Sequence, residues 1–136
     1  MNTRTGFAAA VVLLLAGVLL VMQPWRKDTD SATTLKTSTA SYTVHLVTNR
    51  PRAGANTFDL EIKDRDGAPS AMDEVTLQPV MPHMGHAYPP VTAAQLAPGR
   101  YRAENAVLPM SGMWRITVTL HGAHGVEQGV FPLMVK

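Results

Sequence analysis

Six consecutive residues, Met81-Pro82-His83-Met84-Gly85-His86, bring two thioethers and two imidazoles into one short stretch, with Tyr88, Pro89 and Pro90 just after it. A second methionine pair, Met110 and Met113, flanks Ser111-Gly112 immediately before Trp114. The chain has no cysteine, so disulfides, thiolate metal sites and cysteine nucleophiles are excluded. Thioether and imidazole without thiolate form the donor set of a soft or borderline ion such as copper: methionine binds Cu(I) and is a poor zinc ligand, while histidine serves both copper oxidation states. The spacing of His83 and His86 lets one loop turn both rings toward a point. The candidate copper ligands are therefore His83 and His86 as imidazoles, with Met84, Met113, Met110 and Met81 as sulfur donors.

Each of these residues has a plainer reading. Methionine is a common gap-filler in cores. Met81 shares its parity with Val75 and Leu77, which points it inward, and Met84 lies past the turn. Met113 shares a face with Arg115, Thr117 and Thr119, opposite Trp114, where ligation and packing both stay open. His83 and His86 could be ordinary exposed loop histidines. His121 and His124 lie in a glycine-rich turn. At about 3.3 Å per residue a straight strand puts them more than about 20 Å from Met113, so they are left out of the site. His45 alternates outward. Ser111 lacks the strand-to-helix elbow of a hydrolase nucleophile, and no pair of carboxylates suggests acid–base chemistry, so an enzyme is not expected.

The elements that must position the loop are strands. Tyr42, Val44 and Leu46 alternate with polar neighbours, as do Phe58, Leu60 and Ile62, ahead of a turn at Asp64-Arg65-Asp66-Gly67. Val75 and Leu77 begin a third strand, which Pro82 and Gly85 end. Pro98-Gly99 is another turn, followed by Tyr101 and Ala103. Trp114, Ile116, Val118 and Leu120 form the clearest inward face, and Phe131, Leu133 and Val135 the last. After residue 41 there is no helical period, βαβ unit or glycine-rich phosphate loop. The expected fold is all-β, an immunoglobulin-like antiparallel sandwich of about seven strands over residues 42–136.

The formal charge of +2 is not on that domain. Arg4, Arg26, Lys27 and Lys36 against Asp28 and Asp30 account for it, leaving the remainder neutral and excluding a nucleic-acid binder. Phe7–Met22 is an uninterrupted apolar run of about 24 Å as a helix, extended toward the interfaces by Gly6 and Trp25. Gln23-Pro24-Trp25-Arg26-Lys27 is too bulky and charged for a cleavage site directly after it, which favours a retained N-terminal transmembrane helix over a cleaved signal peptide. Residues 1–26 are thus read as a membrane anchor, 27–41 as a flexible polar tether, and the C-terminal domain is placed outside the cytoplasm, in a periplasm or beyond the cell.

With these residues assembled, the domain resembles the YtkA-like family, grouped closely with FixH-type proteins. The carriers are Phe58, Asp64 and Gly67, the Met81–His86 segment, Gly99-Arg100-Tyr101, and Met110-Ser111-Gly112-Met113-Trp114. The resemblance implies an extracytoplasmic immunoglobulin-like sandwich, often found beside copper-handling proteins or cytochrome oxidase assembly factors. It implies no catalytic residues. FixH-type members also carry one N-terminal span. Two functions follow as expectations: a membrane-tethered copper-binding or copper-handling domain, or a metal-free module that assists a membrane partner such as an oxidase or copper transporter.

Overall fold

The computed structural model describes residues 32–136. The segment read as an anchor, Phe7–Met22, lies outside them. Among the described residues no helix is long and apolar enough to cross a membrane. Ten strands follow in chain order: β1 Ala32–Ser38, β2 Tyr42–Asn49, β3 Gly54–Asp64, β4 Glu74–Met81, β5 His86–Ala87, β6 Val91–Thr92, β7 Ala94–Ala97, β8 Arg100–Leu108, β9 Gly112–Gly122 and β10 Gly125–Val135. They form two antiparallel sheets, ordered β1-β2-β3-β8-β7 and β10-β9-β4-β5, with β6 also pairing β4.

Alternation decides which face of each strand is buried, because successive side chains in a strand point to opposite sides. In β2, Tyr42, Val44 and Leu46 are buried; in β3, Phe58, Leu60 and Ile62; in β9, Trp114, Ile116, Val118 and Leu120; in β10, Phe131, Leu133 and Val135. These faces meet in one core shared by both sheets, which makes the domain a β-sandwich. Pro98-Gly99 turns as expected. Gly99 adopts a φ of 75°, and a Cβ there would stand 2.7 Å from the Ile62 carbonyl oxygen. At Asp64–Gly67 the Asp64 carboxylate accepts hydrogen bonds from the Asp66 and Ala68 N–H groups, so the side chain shapes the turn.

The sequence reading differs from the structure at the start of the domain. The polar composition of 27–41 predicts a tether, yet Ala32–Ser38 is an edge strand paired in register with β2, from Ala32 opposite Asn49 to Ser38 opposite Thr43. Its only large apolar residue, Leu35, packs partly buried against the core. The alternation was therefore too weak to see, while the threonines supply β-branched residues that suit an edge. The β1–β2 turn is tied to the opposite sheet by Glu127, whose Oε1 accepts a 2.7 Å bond from the Ser41 N–H. Burial works against the charge on this carboxylate. The Ser41 N–H and the nearby His124 still hold its pKa below the ordinary value.

The two ends of the sandwich differ in chemistry. One end carries the acidic residues Asp64, Asp66, Asp73 and Glu74 with the Gly122–Gly125 turn. There the buried Tyr101 hydroxyl donates to the Met72 carbonyl at 3.1 Å and accepts from its N–H at 2.6 Å. The other end gathers the β2–β3 turn with Arg50 and Arg52, the β8–β9 turn, the turn after β4, the C-terminal residue Lys136, and Ala32 at the start of β1.

Candidate metal centre

The Met81–His86 stretch forms a tight hairpin turn. Val80 pairs with Ala87 and Met81 with His86, leaving Pro82–Gly85 as the loop. Pro82–Met84 makes one 3₁₀ turn, closed by Gly85 at φ 65°, ψ 20°, whose N–H bonds to the Pro82 carbonyl at 3.2 Å. Both backbone restrictions are in the sequence: Pro82 fixes φ at the start, and Gly85 supplies the left-handed residue at the end. His83, Met84 and His86 are all exposed.

The strand after the turn is anchored on both sides. The Tyr88 N–H donates to the Pro79 carbonyl at 3.0 Å, and the Gln78 side-chain amide donates to the Tyr88 carbonyl at 3.0 Å. Pro89 and Pro90 then interrupt pairing until Val91 opposes Leu77, so β5 and β6 are two halves of one broken edge strand along β4. From the exposed His86, ring contacts lead inward. The His86 and Tyr88 centroids are 6.5 Å apart, and Tyr88 lies 5.5 Å from the fully buried Trp114. The Trp114 indole N–H donates to the Met110 carbonyl at 3.0 Å and fixes the β8–β9 turn beside this path.

The six candidate ligands separate by environment. His83, Met84 and Met110 are exposed on two turns at the basic end, and the exposed His86 opens β5 beside them. Met81 is a core residue at 6% exposure, and its methyl group would lie 3.4 Å from a Cβ placed on Gly112. Its thioether fills space under the turn, as its parity predicts. Met113 is exposed on the outer face of its sheet, opposite Trp114. His121 and His124 lie at the far end, where His124 stands 5.9 Å from Tyr42, which agrees with leaving them out.

Sequence reasoning missed Met134. It is exposed, and the β9–β10 register sets it directly opposite Met113. Of the six methionines among the described residues, the two buried ones, Met72 and Met81, lie in the core, and the four exposed ones, Met84, Met110, Met113 and Met134, all lie toward the end bearing the histidine turn. Only the strand register could have paired Met134 with Met113.

Among the described residues no three histidine or carboxylate side chains stand close enough to hold a metal ion. A centre that drew on the methionine sulfurs at this end would select for a soft ion. The charged groups at this end, Arg50, Arg52, Arg115 and Lys136, are cationic. They disfavour a divalent ion more than a monovalent one by simple Coulomb repulsion.

Comparison with known proteins gives a family and no closer relative. No curated protein and no solved structure matches the chain. A family model described as YtkA-like matches residues 37–119, more than half of the chain and inclusive of both methionine-bearing turns, and the protein belongs to the YtkA-like family.

Proposed function

We propose that this protein is a membrane-tethered, extracytoplasmic copper-binding domain of immunoglobulin-like fold, which holds Cu(I) at the turn after β4. His83 and His86 supply imidazole nitrogen, and Met84 and Met110 supply thioether sulfur. The observation that carries the reading is the pre-shaped Pro82–Gly85 turn and the His86 that follows it, which leave two imidazoles and a thioether exposed at the end where the exposed methionines collect. A thioether and imidazole set favours the soft, monovalent state, and its exposure suits exchange with a partner over permanent storage. The direction of the chain fits a tether. Ala32 starts β1 at this same end, which is where a tether from an N-terminal anchor would enter the domain. Cu(I) affinity, measured by competition with a chromophoric chelator, is expected to fall at least tenfold in a His83→Ala/His86→Ala double variant. Equal affinity in the two proteins rules the site out.

A second reading rests on a groove of about 240 Å³ beside the turn, lined by Tyr88, Pro89, Pro90, Val91, Asn105 and Val107. It supports a metal-free module that packs on a membrane partner such as an oxidase or transporter subunit. That reading expects capture of the partner from membranes with copper chelated, and loss of capture in Tyr88→Asp.

A further inference from the structure

Met113 and Met134 are directly opposed residues on β9 and β10, with Arg115 opposite Pro132 next along the pair. Trp114 and Leu133, their neighbours in sequence, point into the core, so both methionines stand on the outer face, at 39% and 54% exposure. Directly opposed residues on antiparallel strands have Cβ atoms about 4.5–5.5 Å apart, and methionine adds three rotatable bonds beyond the backbone. Two sulfurs can therefore approach a single ion from adjacent strands without any movement of the backbone.

Farther along β9 the outward positions are Thr117 and Thr119, the β-branched polar residues usual on a solvated sheet. Met113 departs from that pattern on β9, while on β10 Met134 follows the exposed Val126, Gln128, Val130 and Pro132. The nearest outward charged side chains are Arg115 and Lys136, and the one outward-pointing carboxylate side chain on β4, β9 and β10 is Glu74 at the far end. Beside a guanidinium the repulsion on a divalent ion is twice that on a monovalent one, and neutral thioethers favour the softer, monovalent ion.

We infer that Met113 and Met134 form a second binding site, a two-thioether clip for a soft monovalent cation, Cu(I) or its analogue Ag(I), on the outer face of the β9–β10 ribbon. The clip extends the copper-binding role proposed above, but it needs neither His83 nor His86. It assigns Met113 to a site separate from the histidine turn. The clip lies on the ribbon next to β4, the strand that leads into that turn.

The test uses the full chain in detergent with methionine methyl groups labelled with ¹³C, titrated with Ag(I). In the His83→Ala/His86→Ala background the Met113 and Met134 methyl signals are expected to shift together and to saturate at one equivalent. Met134→Leu added to that background is expected to abolish the Met113 shift while leaving the fold intact by circular dichroism. Unmoved Met113 and Met134 signals in the double-histidine background overturn the clip. So does a Met113 shift that persists undiminished in Met134→Leu. Shifts confined to the histidine turn in the unmutated chain overturn the clip while leaving the first site standing. Loss of chelator-detected binding in the histidine variant with methyl shifts retained separates the two sites in the other direction.

Discussion

Replacing Met81 distinguishes a sulfur that packs from one that binds. Met81 is 6% exposed, joins the shared core, and lies with its methyl group against Gly112. Truncation to alanine removes its last three heavy atoms from that contact. Such changes at buried methionines cost about 2–5 kcal/mol, with the spread set by how far the site can collapse. Met81 is at the rim beneath a solvent-exposed turn, so partial collapse places the cost toward the lower part, about 2–3 kcal/mol. For a domain of this size that lowers Tm by about 10–20 °C. Leucine nearly conserves the volume, and its cost should stay below about 1.5 kcal/mol. Urea unfolding followed by Trp114 emission, in a Trp25→Phe background, gives both values. Cu(I) competition on the folded Met81→Leu protein should match the parent within about twofold, while Met84→Leu and Met110→Leu should each weaken binding. A Met81→Leu protein of parental stability with tenfold weaker Cu(I) binding would show that Met81 is a ligand. A Met81→Ala protein of parental stability would show that it is not part of the core.

Three further expectations follow from the same geometry. Gly99→Ala should destabilise the domain by about 2 kcal/mol or more, because its positive φ strains alanine and the new Cβ meets the Ile62 carbonyl oxygen at 2.7 Å; a melting temperature equal to the parent's contradicts this. Glu127→Gln should cost about 1 kcal/mol at neutral pH, since a half-exposed charge-assisted bond to Ser41 is weakened. The folded pKa of Glu127 is lowered, so its contribution is full above the ordinary value of 4.5 and fades as pH falls through the folded one. The gap between parent and variant in urea should therefore close in acid; a gap constant with pH removes the linkage. Cu(I) should quench Trp114 emission in the Trp25→Phe protein, because ring contacts connect His86 through Tyr88 to the indole. Undiminished quenching in His86→Ala would place the metal elsewhere.

The sandwich could be read from the sequence wherever one face alternates strongly. Trp114, Ile116, Val118 and Leu120 fix β9, and Phe58, Leu60 and Ile62 fix β3, because each polar neighbour would lose hydration in the core. Four strands escaped that test. β1 has Leu35 as its one large apolar contact, and β5, β6 and β7 are only two to four residues long, held by pairing along an edge more than by burial. Nothing in the local sequence marks Asn105. It takes a φ of 56° in β8 where the pairing with β3 slips, and residues there line the groove beside Tyr88.

The candidate site divides in the same way. Pro82 and Gly85 announce a tight turn from residue type alone, and the inward parity of Met81 follows from Val75 and Leu77. The relation between Met113 and Met134 depends on the β9–β10 register, which joins residues distant in sequence, and no local pattern encodes it.

The most direct test of the copper assignment is X-ray absorption at the copper edge, on the full chain carrying Met134→Leu and one equivalent of Cu(I). The account predicts scattering from at least one sulfur at about 2.3 Å together with the outer-shell pattern of imidazole, and loss of that pattern in His83→Ala/His86→Ala. A shell with no sulfur, or an imidazole pattern that persists unchanged after both histidines are removed, would contradict it.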